Sequence, residues 1–390
     1  MKIGIDKIGF AMPKYYLDIR DLATARGIEP DKFTKGLLQL EMSIPPVSQD
    51  IVTLGAQAAF EILDKEDLEK IDMIIVGTES GVDQSKASSV FIHVLLDIQP
   101  FVRAIEVKEA CYGATAALDF AKNHVMNNPE SRVLVIASDI AKYGIKASGE
   151  STQGAGSCAM LITSNPRILE LNNDNVCLTR DVMDFWRPNY SQYAFVEGKF
   201  STEQYLGCLT TTWDKYLEKN NRQLSDFDAI CLHLPYPKLG LKGLNTLLET
   251  EADDAIKEKL SERFNESILY SQRVGNIYTG SLFLGLLSLL ENSTNLNPGD
   301  KIALYSYGSG AVAEIFSMTL VPGYEKQLKQ NRFDEFNSRT RISIEEYEEM
   351  FFRDTTVDSE GNLDISDIKD DSRFVLEKIE NHKRIYKKQF

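Results

Sequence analysis

The feature that most limits what this chain can fold into is a loose internal echo: from about residue 170 onward, strand-like and helix-like segments follow the order of the first part. The apolar run "MIIVGTES", which passes through Glu79, is matched by "DAICLHLP", which passes through His233. "CYGATAALDFAKNHVMNN", from Cys111, is matched by "GNIYTGSLFLGLLSLLEN", from Gly275 and Asn276, and both read as helices opened by small residues. Each runs through a polar turn into a strand, "RVLVIASD" or "KIALYSYGSG", and the step from Cys111 to Ser138 is close to that from Asn276 to Ser306. With "DIVTLGAQAAFEILDK" and "SKASSVFIHVLLDI" as further helices, the alternation is that of an α/β protein. The 390 residues suffice for two such units, at roughly 100–200 residues per domain. Two similar βαβ-rich halves are expected, residues 1–165 carrying Glu79 and Cys111 and residues 166–390 carrying His233 and Asn276. Packed face to face, they would gather those four residues at the carboxyl ends of strands, where open α/β sheets bind ligands. Beyond "LVPGYEK" the periodicity weakens and charge rises, so about 324–390 is expected as peripheral helices and loops on the second half.

A formal charge of −15 disfavours nucleic acid and anionic membranes as partners, since both are densely negative. An anionic ligand would need a local basic patch. The opening "MKIGIDKIGFAMP" alternates like a strand and lacks the apolar stretch of a signal peptide. The most apolar run, "SLFLGLLSLL", is about half of the ~20 residues that cross a bilayer, so it reads as a buried helix. Five cysteines, an odd number without metal-ligand spacing, point to reduced thiols in the cytoplasm and to no metal site. The loop "TVDSEGNLDISD" lacks the bidentate Glu of a calcium site and reads as an acidic surface loop.

Cys111 follows a strand-like run and opens a helix, where unpaired N–H groups and the positive dipole end would favour its thiolate. The alternative is a buried structural cysteine. Of four histidines, only His233 ends an apolar strand; a helix-start Cys with a strand-end His fits acyl transfer through an activated thiol. Glu79 also ends an apolar run, so burial would raise its pKa toward that of a general base. Asp83, Asp139 and Asp184 are weaker candidates, with turn and capping roles competing for each, and Tyr143 is a further secondary candidate. The Gly-rich segments "TQGAGSCAM" and "SYGSGAVAE" would either bind a thioester oxyanion or make tight turns. Neither matches a phosphate-binding loop, so no nucleotide cofactor is expected. Lys238, Lys242 and Arg187 are available as local cations for an anionic ligand.

Together, "TESGVD", "EACYGATAAL", "GESTQGAG", "DFWRP", "HLPYPK", "GNIYTGSLFLGL" and "YSYGSG" resemble hydroxymethylglutaryl-CoA synthase, particularly its shorter bacterial form. The resemblance implies a thiolase-like fold, two similar halves in five α-β-α-β-α layers, working as a homodimer in the mevalonate route to isoprenoids. It implies that Cys111 takes an acetyl group from acetyl-CoA and that Glu79 removes a proton from the acetyl methyl. His233 then polarises the ketone of acetoacetyl-CoA, and hydrolysis of the Cys111 thioester frees HMG-CoA. By the same resemblance Thr152, Ser201, Asn276 and Ser309 contact the acyl substrate, Lys238 and Lys242 contact CoA, and Glu29 lies near a further contact. The CoA thioesters are substrates, and no cofactor is implied. One rival is a β-ketoacyl synthase using Cys111, His233 and Asn276, from which "HLPYPK" departs and in which Glu79 has no task. Another is a silent CoA-binding subunit of the same fold, against which Glu79, Cys111 and His233 together argue.

Overall fold

In a computed structural model, described for residues 1–389, one ten-stranded sheet runs through the molecule. Its strands are β1 (Ile3–Ala11), β2 (Ile71–Gly77), β3 (Arg103–Val107), β4 (Arg132–Ala141), β5 (Gly154–Ser164), β6 (Leu169–Leu171), β7 (Val176–Thr179), β8 (Ala229–Leu232), β9 (Lys301–Gly308) and β10 (Val312–Leu320). The order is β8-β9-β10-β6-β1-β5-β4-β2-β3, with β7 also on β10. Pairs β2–β3, β2–β4 and β8–β9 are parallel, while β1–β5, β4–β5 and β9–β10 are antiparallel. The two arms meet at a narrow bridge, where Gly4 and Ile5 of β1 face Glu170 and Leu169 of β6.

Helices α1 (Ile51–Ile62), α2 (Ser88–Leu95), α3 (Gly113–Asn127), α4 (Gly198–Asn220), α5 (Pro237–Leu248), α6 (Asp254–Ser267) and α7 (Ser281–Asn292) cover these arms. Alternate side chains assign each strand to two layers. Met73 and Ile75, like Val133 and Val135, join a central core with α3 and α7, while Ile74, Val76, Leu134 and Ile136 join an outer core with α1 and α2. In the other arm Cys231, Ile302 and Leu304 face the central core, and Ile230, Leu232, Ala303 and Tyr305 face α4, α5 and α6. The result is the expected five-layer α-β-α-β-α arrangement. Strands buried on both faces read as unbroken apolar runs, which is why no alternation shows in their sequences. Helix α7 lies in the middle layer, with every residue from Ser281 to Leu290 buried.

The placement of the charged carboxyl-terminal segment needs correction. Residues Phe374–Glu380 and Lys383–Lys388 form a β-hairpin that returns to the first arm. Phe374 enters the core under α1, and Tyr386 packs on Phe91 of α2. Tyr386 Oη and Arg384 donate to Asp50, the N-cap of α1, at 2.6 and 3.1 Å. One buried face per strand, facing a helix more than 300 residues earlier, leaves little periodic trace in such a charged stretch.

Candidate active site

Cys111 stands between β3 and α3, directly after Ala110, whose φ of 42° lies in the left-handed region that L-residues disfavour. Its thiol donates to Glu79 Oε1 at 3.2 Å. Glu79 follows the end of β2, its N–H donating to Asp139 Oδ1 at 2.9 Å and its carbonyl accepting from the Arg187 guanidinium. Asp139, on β4, is fully buried and takes four donors: Thr78 Oγ1 (2.8 Å), Glu79 N, Thr279 N (3.1 Å) and Thr279 Oγ1 (2.6 Å). One carboxylate thus fixes the Glu79 backbone to the turn that precedes α7 in the other arm.

Burial, reinforced by Asp139, lifts Glu79 to a pKa of about 8. Burial and the carboxylates of Glu79, Asp139 and Asp184 push the Cys111 thiol well above its ordinary value. The thiolate expected from the helix start is therefore not the resting form, because desolvation and neighbouring carboxylates outweigh the dipole. His233 is buried, its backbone N–H donating to the Tyr305 carbonyl at 2.8 Å, and its Nδ1 has no partner. Desolvation lowers its pKa to about 3, so the ring is neutral.

Cys111, His233 and Asn276 share the wall of a cleft of about 320 Å³ with Tyr143, Thr152, Ser201 and Ser309. The Asn276 amide is oriented by two donors to its Oδ1, Tyr278 N at 2.8 Å and Ser281 Oγ at 3.0 Å, and it donates to Tyr143 Oη at 2.9 Å. Gly275, with φ 90°, allows the approach, since a Cβ there would meet the Gln153 carbonyl oxygen at 2.0 Å. Asn276 N then donates to the Thr152 carbonyl at 2.9 Å. Asp184 accepts from Tyr307 Oη at 2.7 Å, Gly310 N at 2.9 Å and Ser201 Oγ at 3.4 Å, bracing the wall.

Other expected residues stay outside the cleft. Lys238 is half-buried and Lys242 exposed on α5, the helix that carries the cleft residue Leu239. Glu29 is exposed in the segment leading to the cleft residue Leu37, whose carbonyl accepts from Lys238 N at 3.0 Å. Asp83 takes the turn role, capping Ser85 N and Lys86 N at 2.8 Å each. The Gly-rich segments make turns, the first running into β5 and the second forming the β9–β10 hairpin, and each still brings one hydroxyl to the cleft, Thr152 and Ser309. Sequence reading singled out Tyr143 but missed Thr279 and the two rings that pack on Tyr143, Phe185 and Tyr278, with the three centroids 5.9–6.0 Å apart.

Two family models span the chain: hydroxymethylglutaryl-coenzyme A synthase N terminal matches residues 1–167, and its C terminal matches residues 174–255 and 245–389. The hydroxymethylglutaryl-CoA synthase of Enterococcus faecalis is 50% identical over 388 residues, covering 99% of this chain and 100% of the relative. The chain belongs to the hydroxymethylglutaryl-CoA synthase family. Among solved structures, an HMG-CoA synthase complexed with CoA superposes with a TM-score of 0.98 at 57% identity, covering 100% of both chains. MvaS in complex with 3-hydroxy-3-methylglutaryl coenzyme A superposes at 0.89 with 32% identity, covering 99% of both. The thiolase-like fold and the family expected from the sequence are both borne out.

Proposed function

We propose that this enzyme condenses acetyl-CoA with acetoacetyl-CoA and water to give HMG-CoA and CoA, in the mevalonate route, through an acetyl-Cys111 intermediate. The observation that carries the reading is the Cys111–Glu79 contact at 3.2 Å, set against a cleft that also presents His233 and the Asn276 amide. In the first step ionised Glu79 accepts the thiol proton as sulfur attacks the acetyl carbonyl, and it returns the proton to the departing CoA sulfur. Glu79 then removes a methyl proton from acetyl-Cys111, for which a pKa of about 8 suits a base working on a weak carbon acid. The enolate adds to the ketone of acetoacetyl-CoA. Neutral His233 donates one ring N–H to the ketone oxygen, and the Asn276 amide is held beside it. Thr152, Ser201 and Ser309 line the acyl position, Lys238 and Lys242 offer charge to CoA phosphates, and Glu29 lies near the rim. Acyl and proton transfer at these groups call for no metal or redox cofactor.

The working form is a homodimer. Strand β3 ends the sheet with an open edge, and the flanking helices expose Val90 and Val94 on α2 and Phe120 on α3. Antiparallel pairing of β3 with its copy would close both edges at once. The enzyme works in the cytoplasm; its five cysteines are free, and among the described residues no helix is long and apolar enough to cross a membrane.

Purified protein given acetyl-CoA plus acetoacetyl-CoA, or malonyl thioester instead, with product identified by mass, tests the reading. HMG-CoA from the first mixture alone is expected. A decarboxylative product from the second would favour a β-ketoacyl synthase.

A further inference from the structure

Two cavities meet at the Cys111–Glu79 pair, and they divide it between them. Cys111 lines the cleft described above, whereas Glu79 lines a second, larger groove of about 930 Å³ on the other side. Phe185 and Ser309 line both and form the partition. The two spaces differ in character. Around the cleft stand Leu37, Tyr205, Tyr236, Leu239 and Tyr278, while around the groove stand Ser80, Asp83, Lys108, Glu109, Lys142 and Arg187. The second, with more charged groups on its wall, is the better suited to a hydrated path.

The stoichiometry of the proposed reaction, on whose reading this inference rests, sharpens the point. In the last step water oxygen bonds to the carbonyl carbon of the Cys111 thioester, and the C–S bond breaks with its electron pair going to sulfur. One water proton ends on that sulfur. The other leaves the protein as the new carboxyl group ionises, so each turnover takes in one water and sends out one proton. At that moment the product acyl chain and its CoA arm fill the cleft. Water arriving by the same way would have to displace that arm.

We propose that the groove bearing Glu79 and Arg187 is the path by which the hydrolytic water enters and the released proton leaves, separate from the cleft that takes the thioesters. Glu79 is the group common to chemistry and path: its carboxyl touches the thiol, and its backbone carbonyl is held by Arg187, a groove residue. Arg187 acts as a positioning residue that holds the Glu79 turn against the groove.

The test narrows the groove without touching the cleft. Met183, 62% exposed, and half-buried Val82 both line the groove and lie outside the catalytic set, so Met183→Trp and Val82→Trp are made separately in the full chain. Both are expected to keep the KM for each thioester and the rate of acetyl-Cys111 formation, while turnover falls about tenfold. Intact-mass measurement during steady state should then find Cys111 carrying the hydroxymethylglutaryl group. Unchanged turnover in both variants, or slowed turnover with Cys111 free or acetylated, would overturn the path. Failure of the unaltered enzyme to make HMG-CoA at all would instead overturn the functional reading on which the path depends.

Discussion

Glu79 is held under opposing demands: it must ionise to work, yet its surroundings favour the protonated acid. Condensation should therefore climb with pH and reach half its plateau near pH 8, read from kcat at saturating thioesters. The same shift costs stability at high pH. Folded protein keeps the proton up to about pH 8, whereas the unfolded chain sheds it near 4.5, so stability falls as pH rises through that window. Glu79→Gln removes this penalty. It should raise Tm by about 2 °C or more at pH 8, with the gain shrinking toward pH 4.5, as followed by scanning calorimetry. The same variant should still acetylate Cys111 slowly but lose condensation by roughly 10²- to 10⁴-fold. A variant that condensed normally would remove Glu79 as the base. His233 makes a contrasting prediction: with its pKa lowered to about 3, it contributes no inflection between pH 5 and 9. His233→Ala should mainly impair use of acetoacetyl-CoA, and a pH profile that lost its limb near pH 8 in this variant would reverse the two assignments.

At the scale of elements, the echo was legible because both halves spend the same strand–helix–strand order on the same burial problem, but its register was set wrongly. The positive-φ residues Ala110 and Tyr278 each stand three positions ahead of a helix, α3 or α7. That pairs Cys111 with Thr279 rather than with Asn276, and the step from Cys111 to Ser138 then equals that from Thr279 to Ser306. The two equivalent positions diverged in chemistry: one carries the thiol, the other grips Asp139. Glu79, Cys111, His233 and Asn276 could be picked out since each breaks an apolar pattern. Thr279 and Phe185 could not, because their roles depend on contacts across the arms. Gly275 belongs with these. Gly275→Ala should displace Asn276 and cost activity more than substrate binding, measured as a fall in kcat with KM little changed, because strain and the clash with Gln153 fall on the amide's backbone. The hairpin brace makes a separate stability prediction. Tyr386→Phe leaves Asp50 with one donor fewer from the carboxyl-terminal hairpin and should lower unfolding free energy by about 1–2 kcal/mol in urea titration, with kcat unchanged.

For the whole molecule, the sheet is asymmetric in a way that calls for a partner. One end, β8, is covered by helices α5 and α6, whereas at the other end β3 shows half-exposed residues along its length. Phe101, Val94 and Phe120 beside it are 88%, 67% and 48% exposed. An open parallel-sheet edge flanked by exposed aromatics is a liability for a lone chain, and two-fold pairing with an identical edge is the simplest way to cover it. The edge matters to the site because β3 leads through Lys108, Glu109 and Ala110 to Cys111, so loss of pairing would loosen the segment that aims the thiol. A Val94→Asp/Phe120→Asp variant should therefore sediment as a monomer in analytical ultracentrifugation, since charge on both flanking helices opposes desolvation of the interface. Its acetylation of Cys111 should fall together with dimer content as protein is diluted. A variant that stayed dimeric would place the interface elsewhere, and a fully active monomer would show that the β3 segment holds Cys111 in place without a partner.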